Sequence, residues 1–225
     1  MKLIGHLNGF VAIRETLEEY LPINGVNRRD ITSVVGEYFH FNQRPPLDGN
    51  PGVSDQILIF QGGSFDYNGE HVAIGMLIME ANSDIVQVNF TDHGEAFLEN
   101  LSNLLKEALG FRFDDSPKEY RYVSNVVVEF EEGFSDGLGV VSKIGRIVGK
   151  SIKLWHESGL KRVAFGIPPD RNLSSQIEII ENTDFSIERR AGEPLTSNRY
   201  YCSAPMKSAD HVRLLREIEA EVLKG

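Results

Sequence analysis

Asp55-Gln-Ile-Leu-Ile-Phe60, Gly62-Gly63, Asp66-Tyr-Asn68-Gly69-Glu70, His71-Val-Ala-Ile-Gly-Met-Leu-Ile-Met79 and Ile85-Val-Gln-Val-Asn-Phe90 follow one another in the first half of this chain, and their order decides the fold. Asn68-Gly69 separates two apolar runs. A two-residue type I′ turn needs positive φ at both central residues, and Asn and Gly adopt it at least cost. The middle run, residues 72–79, is apolar on both faces, as a covered or central strand is. The third run alternates: Val86, Val88 and Phe90 share one face, Gln87 and Asn89 the other. The stretch reads as a three-stranded antiparallel meander with a buried middle strand.

Helical spacing brackets the meander. Phe97, Leu101, Leu104, Leu105 and Ala108 recur at three and four residues, and Gly110 suits the position after a helix end. Asp92 and Glu95 have the spacing of a capping box. Upstream, residues 10–21 read as a short amphipathic helix capped by Asn8. Residues 31–41 read as a strand, with Phe39 and Phe41 on its apolar face. Residues 43–54 form a proline- and glycine-containing loop, longer than most connections.

Downstream, residues 120–130 read as a strand. Ser135 starts a long helical pattern to about residue 157. Residues 162–167 are a strand, 177–180 and 185–189 a hairpin across Asn182-Thr183, and 199–203 a last strand. Ser208 caps a final helix carrying Val212, Leu215, Ile218 and Val222. The fold class is therefore α+β, antiparallel sheets flanked by helices. Element order further suggests two pseudo-repeated β-α-β4-α halves, 1–112 and 113–225, joined at the polar seam 111–119.

Charge divides at the same seam. The net charge is −10, and residues 1–115 carry all of it, with 17 Asp and Glu against 7 Lys and Arg. An acidic chain makes a poor general nucleic-acid binder, because phosphate contacts need Lys and Arg. A nucleic-acid reading built on two saddle-like halves is held back by that charge. No apolar run reaches the roughly 18 residues of a membrane-spanning helix, and the N-terminal residues lack the apolar core of a signal peptide. Cys202 is the only cysteine, so no internal disulfide can form. A cytoplasmic setting is the expectation.

Few motifs carry chemistry. Gly145-Arg-Ile-Val-Gly-Lys-Ser151 ends like a phosphate-binding loop, but Ile144 stands where the first glycine belongs, and the segment lies inside a helical pattern. Lys143, Arg146, Lys150 and Lys153 fall near one face of that helix and make a basic stripe. It fits an anionic partner, the acidic half of another copy, or plain solvation. Arg189, Arg190, Arg199 and Tyr200 bracket a loop, and arginine with tyrosine is the composition of binding hot spots and anion sites. Pairing with Asp184, Glu188 or Glu193 is their ordinary alternative. The six histidines have no metal-ligand spacing, and a lone cysteine on a strand is usually a small buried apolar residue. The sequence assigns no metal site, no cofactor and no catalytic residue.

The ending, from Phe185-Ser-Ile-Glu-Arg-Arg-Ala-Gly-Glu-Pro through Asn198-Arg-Tyr-Tyr-Cys-Ser-Ala-Pro to His211-Val-Arg-Leu-Leu215, resembles the ends of uncharacterised bacterial proteins of similar length. The resemblance implies a bacterial cytosolic origin and brings no activity or ligand with it. Two function classes stand open. The favoured one is a non-enzymatic binding or assembly protein. It would act through protein–protein contacts or self-association, using sheet edges, the 43–54 loop and the Arg/Tyr region. The alternative is a small-molecule or anion-binding protein, enzymatic or not, with its pocket between a curved sheet and a helix.

Overall fold

The Asn68-Gly69 turn forms as the sequence requires, with φ of 51° at Asn68 and 83° at Gly69. The computed structural model describes residues 1–14, 28–46, 57–80, 83–113, 118–139, 162–166, 184–194 and 197–224. Among them are eight strands: β1 (Lys2–Arg14), β2 (Leu58–Tyr67), β3 (Glu70–Met79), β4 (Ser83–Val88), β5 (Glu119–Glu129), β6 (Arg162–Phe165), β7 (Phe185–Arg189) and β8 (Arg199–Ala204). Four helices accompany them: α1 (Arg28–Tyr38), α2 (Thr91–Leu109), α3 (Phe134–Gly137) and α4 (Ser208–Leu223). The strands pair antiparallel in the orders β2-β3-β4-β1 and β5-β8-β7-β6, which makes the fold α+β. The chain divides into two compact units, residues 8–122 and residues 1–7 with 123–225, and each is described by itself.

In the unit of residues 8–122, β2 and β3 pair from Tyr67↔Glu70 out to Leu58↔Met79. Leu58, Phe60 and Phe65 all lie in one core with Leu77, Ile74 and Val72. Phe60 and Phe65 are an odd number of residues apart, so strict alternation would put them on opposite faces. Both strands therefore slip parity once, at the facing positions Gly62 and Gly75, while the register is kept. Gly62 absorbs the slip with φ 65°, a conformation that costs glycine little. Phe39, Phe41, Phe60, Phe65 and Phe97 fill this core. Phe97 stands 4.5 Å from Phe39 and 5.4 Å from Phe65, centroid to centroid, separations at which ring pairs attract.

α2 closes that core with Phe97, Leu98, Leu101 and Leu105. Burying each stabilises by about 2 kcal/mol relative to exposure. Its end is the expected one: Gly110 is left-handed at φ 71°, its N–H donates to the Lys106 carbonyl and that of Phe111 to Leu105, a Schellman stop. Its start differs from the capping-box expectation. Phe90 is the N-cap and no side chain caps the helix, so Asp92 lies inside the first turn. There its charge favours the helix dipole.

Three further expectations are corrected. Residues 31–38 are helix α1, not strand, because Ile31, Thr32, Val35 and Gly36 are the buried set, a helical and not an alternating pattern. Residues 10–14 are strand, not helix: Gly9 to Arg14 pair with Val88 to Ser83, which places Val11 and Ile13 in the core. Asn8 thus lies within β1 and not at a helix start. The remainder of that expected helix, residues 15–21, lies outside the described residues. Three strands, not four, consequently follow the first helix of this unit: its order is β1-α1-β2-β3-β4-α2. Most of the 43–54 loop also lies outside the described residues.

In the other unit, β5 pairs with β8, β8 with β7 and β7 with β6, all antiparallel. Val126, Val128, Phe130, Phe134, Tyr200, Cys202 and Leu215 form its core, and Phe130 stacks on Phe134 at 3.8 Å. α4 begins at Ser208 with Lys207 as N-cap, so Ser208 is helical instead of capping. The helix expected from Ser135 is described only as the short α3, and residues 140–157 lie outside the described residues, as does the hairpin strand 177–180.

α2 sits so close to the sheet that a Cβ on Gly94 would meet Val11 Cγ2 at 2.5 Å and Val11 Cβ at 3.0 Å. Gly94→Ala gains at most about 1 kcal/mol of helix propensity against overpacking of about 1–3 kcal/mol. Urea unfolding should show a lowered midpoint with an unchanged slope. A midpoint equal to or above the parent's would mean that α2 does not depend on this close approach.

Candidate functional site

Strand alternation sorts the arginines and tyrosines of the later unit onto opposite faces. On β8, Tyr200, Cys202 and Ala204 point into the core, and Arg199, Tyr201 and Ser203 point away from it. On β7, Arg189 is the register partner of Tyr200. Its guanidinium lies 5.0 Å over the Tyr200 ring and donates to the Tyr200 hydroxyl at 3.0 Å and to Ser135 Oγ at 3.3 Å. The two hydroxyls are 2.6 Å apart. Tyr200 is fully buried, so this network ties α3 to the sheet from inside.

Arg199 faces the other way. Its Nε donates to Glu129 at 2.9 Å, its cross-strand partner on β5, and its Nη1 to Glu193 at 3.4 Å. The Arg199 hydrogen bond holds the Glu129 carboxyl below its usual range, and Glu129 in turn raises the Arg199 guanidinium. Arg190 is exposed, and its backbone N–H donates to the Arg199 carbonyl at 3.1 Å. Of the residues singled out in the sequence, the fold joins Arg189 with Tyr200, ties Arg199 to glutamates on the opposite face, and leaves the Arg190 side chain exposed. Lys143, Arg146, Lys150 and Lys153 lie outside the described residues.

A polar cleft of about 430 Å³ opens where β5 ends, walled by Lys2, Glu129, Glu131, Glu132, Ser197 and Asn198. The chain is pinned there twice. Phe130 N–H donates to the Asn198 carbonyl at 3.0 Å, and Glu131 N–H donates to the carboxylate of Glu219 on α4 at 2.8 Å. Glu219 also contacts the amino group of Met1. Asn198 reaches its place with φ 48°, a left-handed conformation that asparagine tolerates better than most residues. Glu129 is engaged by Arg199; the Glu131 carboxylate lies 3.7 Å from the Met1 amino group, with its side chain 70% exposed, and Glu132 is exposed. The cleft therefore offers carboxylates to a cationic group, with a serine and an asparagine beside them as hydrogen-bonding neighbours. Sequence reasoning passed over it, although the run Glu129-Phe-Glu-Glu132 was visible, because residues 197–198 and Lys2 join it only in three dimensions.

The sequence matches no protein-family model and no curated relative. Among the described residues, no group of three or more His, Cys, Asp or Glu side chains could hold a metal ion. No described helix is long and apolar enough to cross a membrane.

Two tests follow from the geometry. Tyr200→Phe removes the hydroxyl shared by Ser135 and Arg189 and should cost about 1 kcal/mol in urea unfolding; an unchanged midpoint would show that the network adds nothing. Cys202 is fully buried, and burial pushes its thiol well above the usual range. Since the thiolate is the reactive form, iodoacetamide should modify Cys202 in urea and leave it untouched in the folded chain, read by mass spectrometry.

Proposed function

We propose that this chain is a non-enzymatic binding or assembly protein acting through protein–protein contacts, and that the cleft at the end of β5 receives lysine or arginine side chains of a basic segment on its partner. The supporting observation is the wall of the cleft: Glu131 and Glu132 are exposed to solvent beside Ser197 and Asn198. Charge of this kind steers encounter and fixes orientation more than it adds affinity. Rim carboxylates of this exposure contribute from a few tenths to about 1 kcal/mol each.

The test is titration of the immobilised chain with a short oligolysine peptide and an uncharged control peptide. Saturable binding of the basic peptide is expected, weakening as salt is raised. The double variant Glu131→Gln, Glu132→Gln should weaken it roughly 3- to 10-fold. Neutralising exposed Glu70 and Glu107 on the other unit should leave it unchanged. Equal loss in both variants would reduce the effect to net charge, and absence of saturable binding would overturn the reading.

A further inference from the structure

His211 stands in the first turn of α4 with none of its surface exposed. It closes a buried polar chain between that helix and β5. Ser124 Oγ donates to Ser208 Oγ at 3.3 Å, and His211 Nδ1 lies 3.2 Å from Ser124 Oγ. With the serine hydrogen directed at Ser208, Nδ1 carries the imidazole hydrogen and Nε2 is the bare nitrogen. Nε2 is buried and has no hydrogen-bond partner among the described residues. A second proton can enter the ring only there, where it would create a cationic N–H without an acceptor, one of the costlier arrangements a fold can hold.

The surroundings offer that charge little relief beyond the backbone of Ser124. From β1 the facing titratable group is His6, which repels a proton on His211. From β5 comes the neutral Ser124, and from β7 the Phe185 ring at 6.2 Å. From β8 the titratable residue of this core is Cys202, whose thiol burial keeps protonated. On α4 itself, Asp210 pairs with Arg213 at 2.6 Å on the exposed side, and Glu219 is spent on Glu131 two turns further along.

We infer that α4 is an acid-released strut: a proton on His211 Nε2 undocks the helix from the sheet, and the Glu219 carboxylate then lets go of the Glu131 backbone at the cleft. The inference stands on the buried chain Ser208–Ser124–His211 and does not depend on what the cleft binds. Burial, with His6 adding to it, takes the His211 imidazole from its ordinary 6.5 down to about 4, partly offset by the backbone of Ser124. A group held neutral in the fold contributes stability that is complete above its unfolded value. That contribution falls about tenfold in equilibrium constant per pH unit between 6.5 and 4, and levels off below. Neutral solution therefore holds the helix docked, and mild acid releases it.

Amide hydrogen exchange on the full chain tests this. Between pH 7.5 and pH 5, protection factors of α4 and of the Glu131 amide should fall tenfold or more, while those of α2 in the other unit hold. In His211→Gln, α4 protection should no longer depend on pH. Parallel loss in α2 and α4, no loss in either, or the same loss in the variant would overturn the inference. Should His211→Gln fail to fold, the imidazole resonances of the parent chain decide: titration well below 6.5 supports the strut, and titration at or above 6.5 ends it.

Discussion

Alternation along β8 is the constraint on which the later unit depends. One residue separates Arg199 from Tyr200, and that step puts them on opposite sides of a sheet. Tyr200 must then satisfy its hydroxyl in the core, which it does against Ser135 and Arg189. Arg199 is left over the outer face within reach of Glu129. A segment that reads as a single basic and aromatic patch is in fact two sets of contacts back to back. Both engage the protein's own groups, one anchoring α3 and the other linking β8 to Glu129 on β5 and to Glu193. The negative charge left to solvent at that end of the unit includes Glu131 and Glu132, which follow β5.

Much of the architecture was legible. The meander, its turn, the helix ending at Gly110 and the strands at 120, 162, 185 and 199 all follow from period and punctuation. Where the reading failed, two periods coincided. Residues 31, 35 and 39 satisfy an alternating pattern and a helical one equally. The residues that separate the two are Thr32 and Gly36, both buried, and neither registers as apolar in a sequence. Residues 10–14 failed for the complementary reason. Val11 and Ile13 do alternate, but Leu17, Tyr20 and Leu21 beyond them extend a helical spacing across the strand. At the cleft, no local pattern could help. Its walls come from residues 129–132, from 197–198 and from Lys2, and sheet pairing alone brings them together. His211 was hidden differently: a histidine at the start of an amphipathic helix looks solvated, and only its depth reveals the unmet nitrogen.

The two units also differ in how they fill their interiors. The unit of residues 8–122 has an aromatic centre of five phenylalanines, with Thr32, Thr91 and Ser102 as its buried polar residues. The other admits serines, a histidine and a glutamate on or facing α4, and a tyrosine hydroxyl at α3. Buried polar groups raise the cost of any misfit, since each must keep its partner. A helix held in this way is set more sharply in position than one held by apolar contact alone, and it is more sensitive to a change of protonation.

The paired parity slip of β2 and β3 has a consequence for how this chain can vary. Gly62 and Gly75 face one another, so both strands exchange faces at the same rung, and the turn-proximal part of the hairpin keeps Phe65 on the core side. Losing one residue from either strand between that rung and the turn would send Phe65 or Val72 outward unless the other strand lost one too. The two strands are bound to change length together or not at all, and the tolerated site for an insertion is the turn itself.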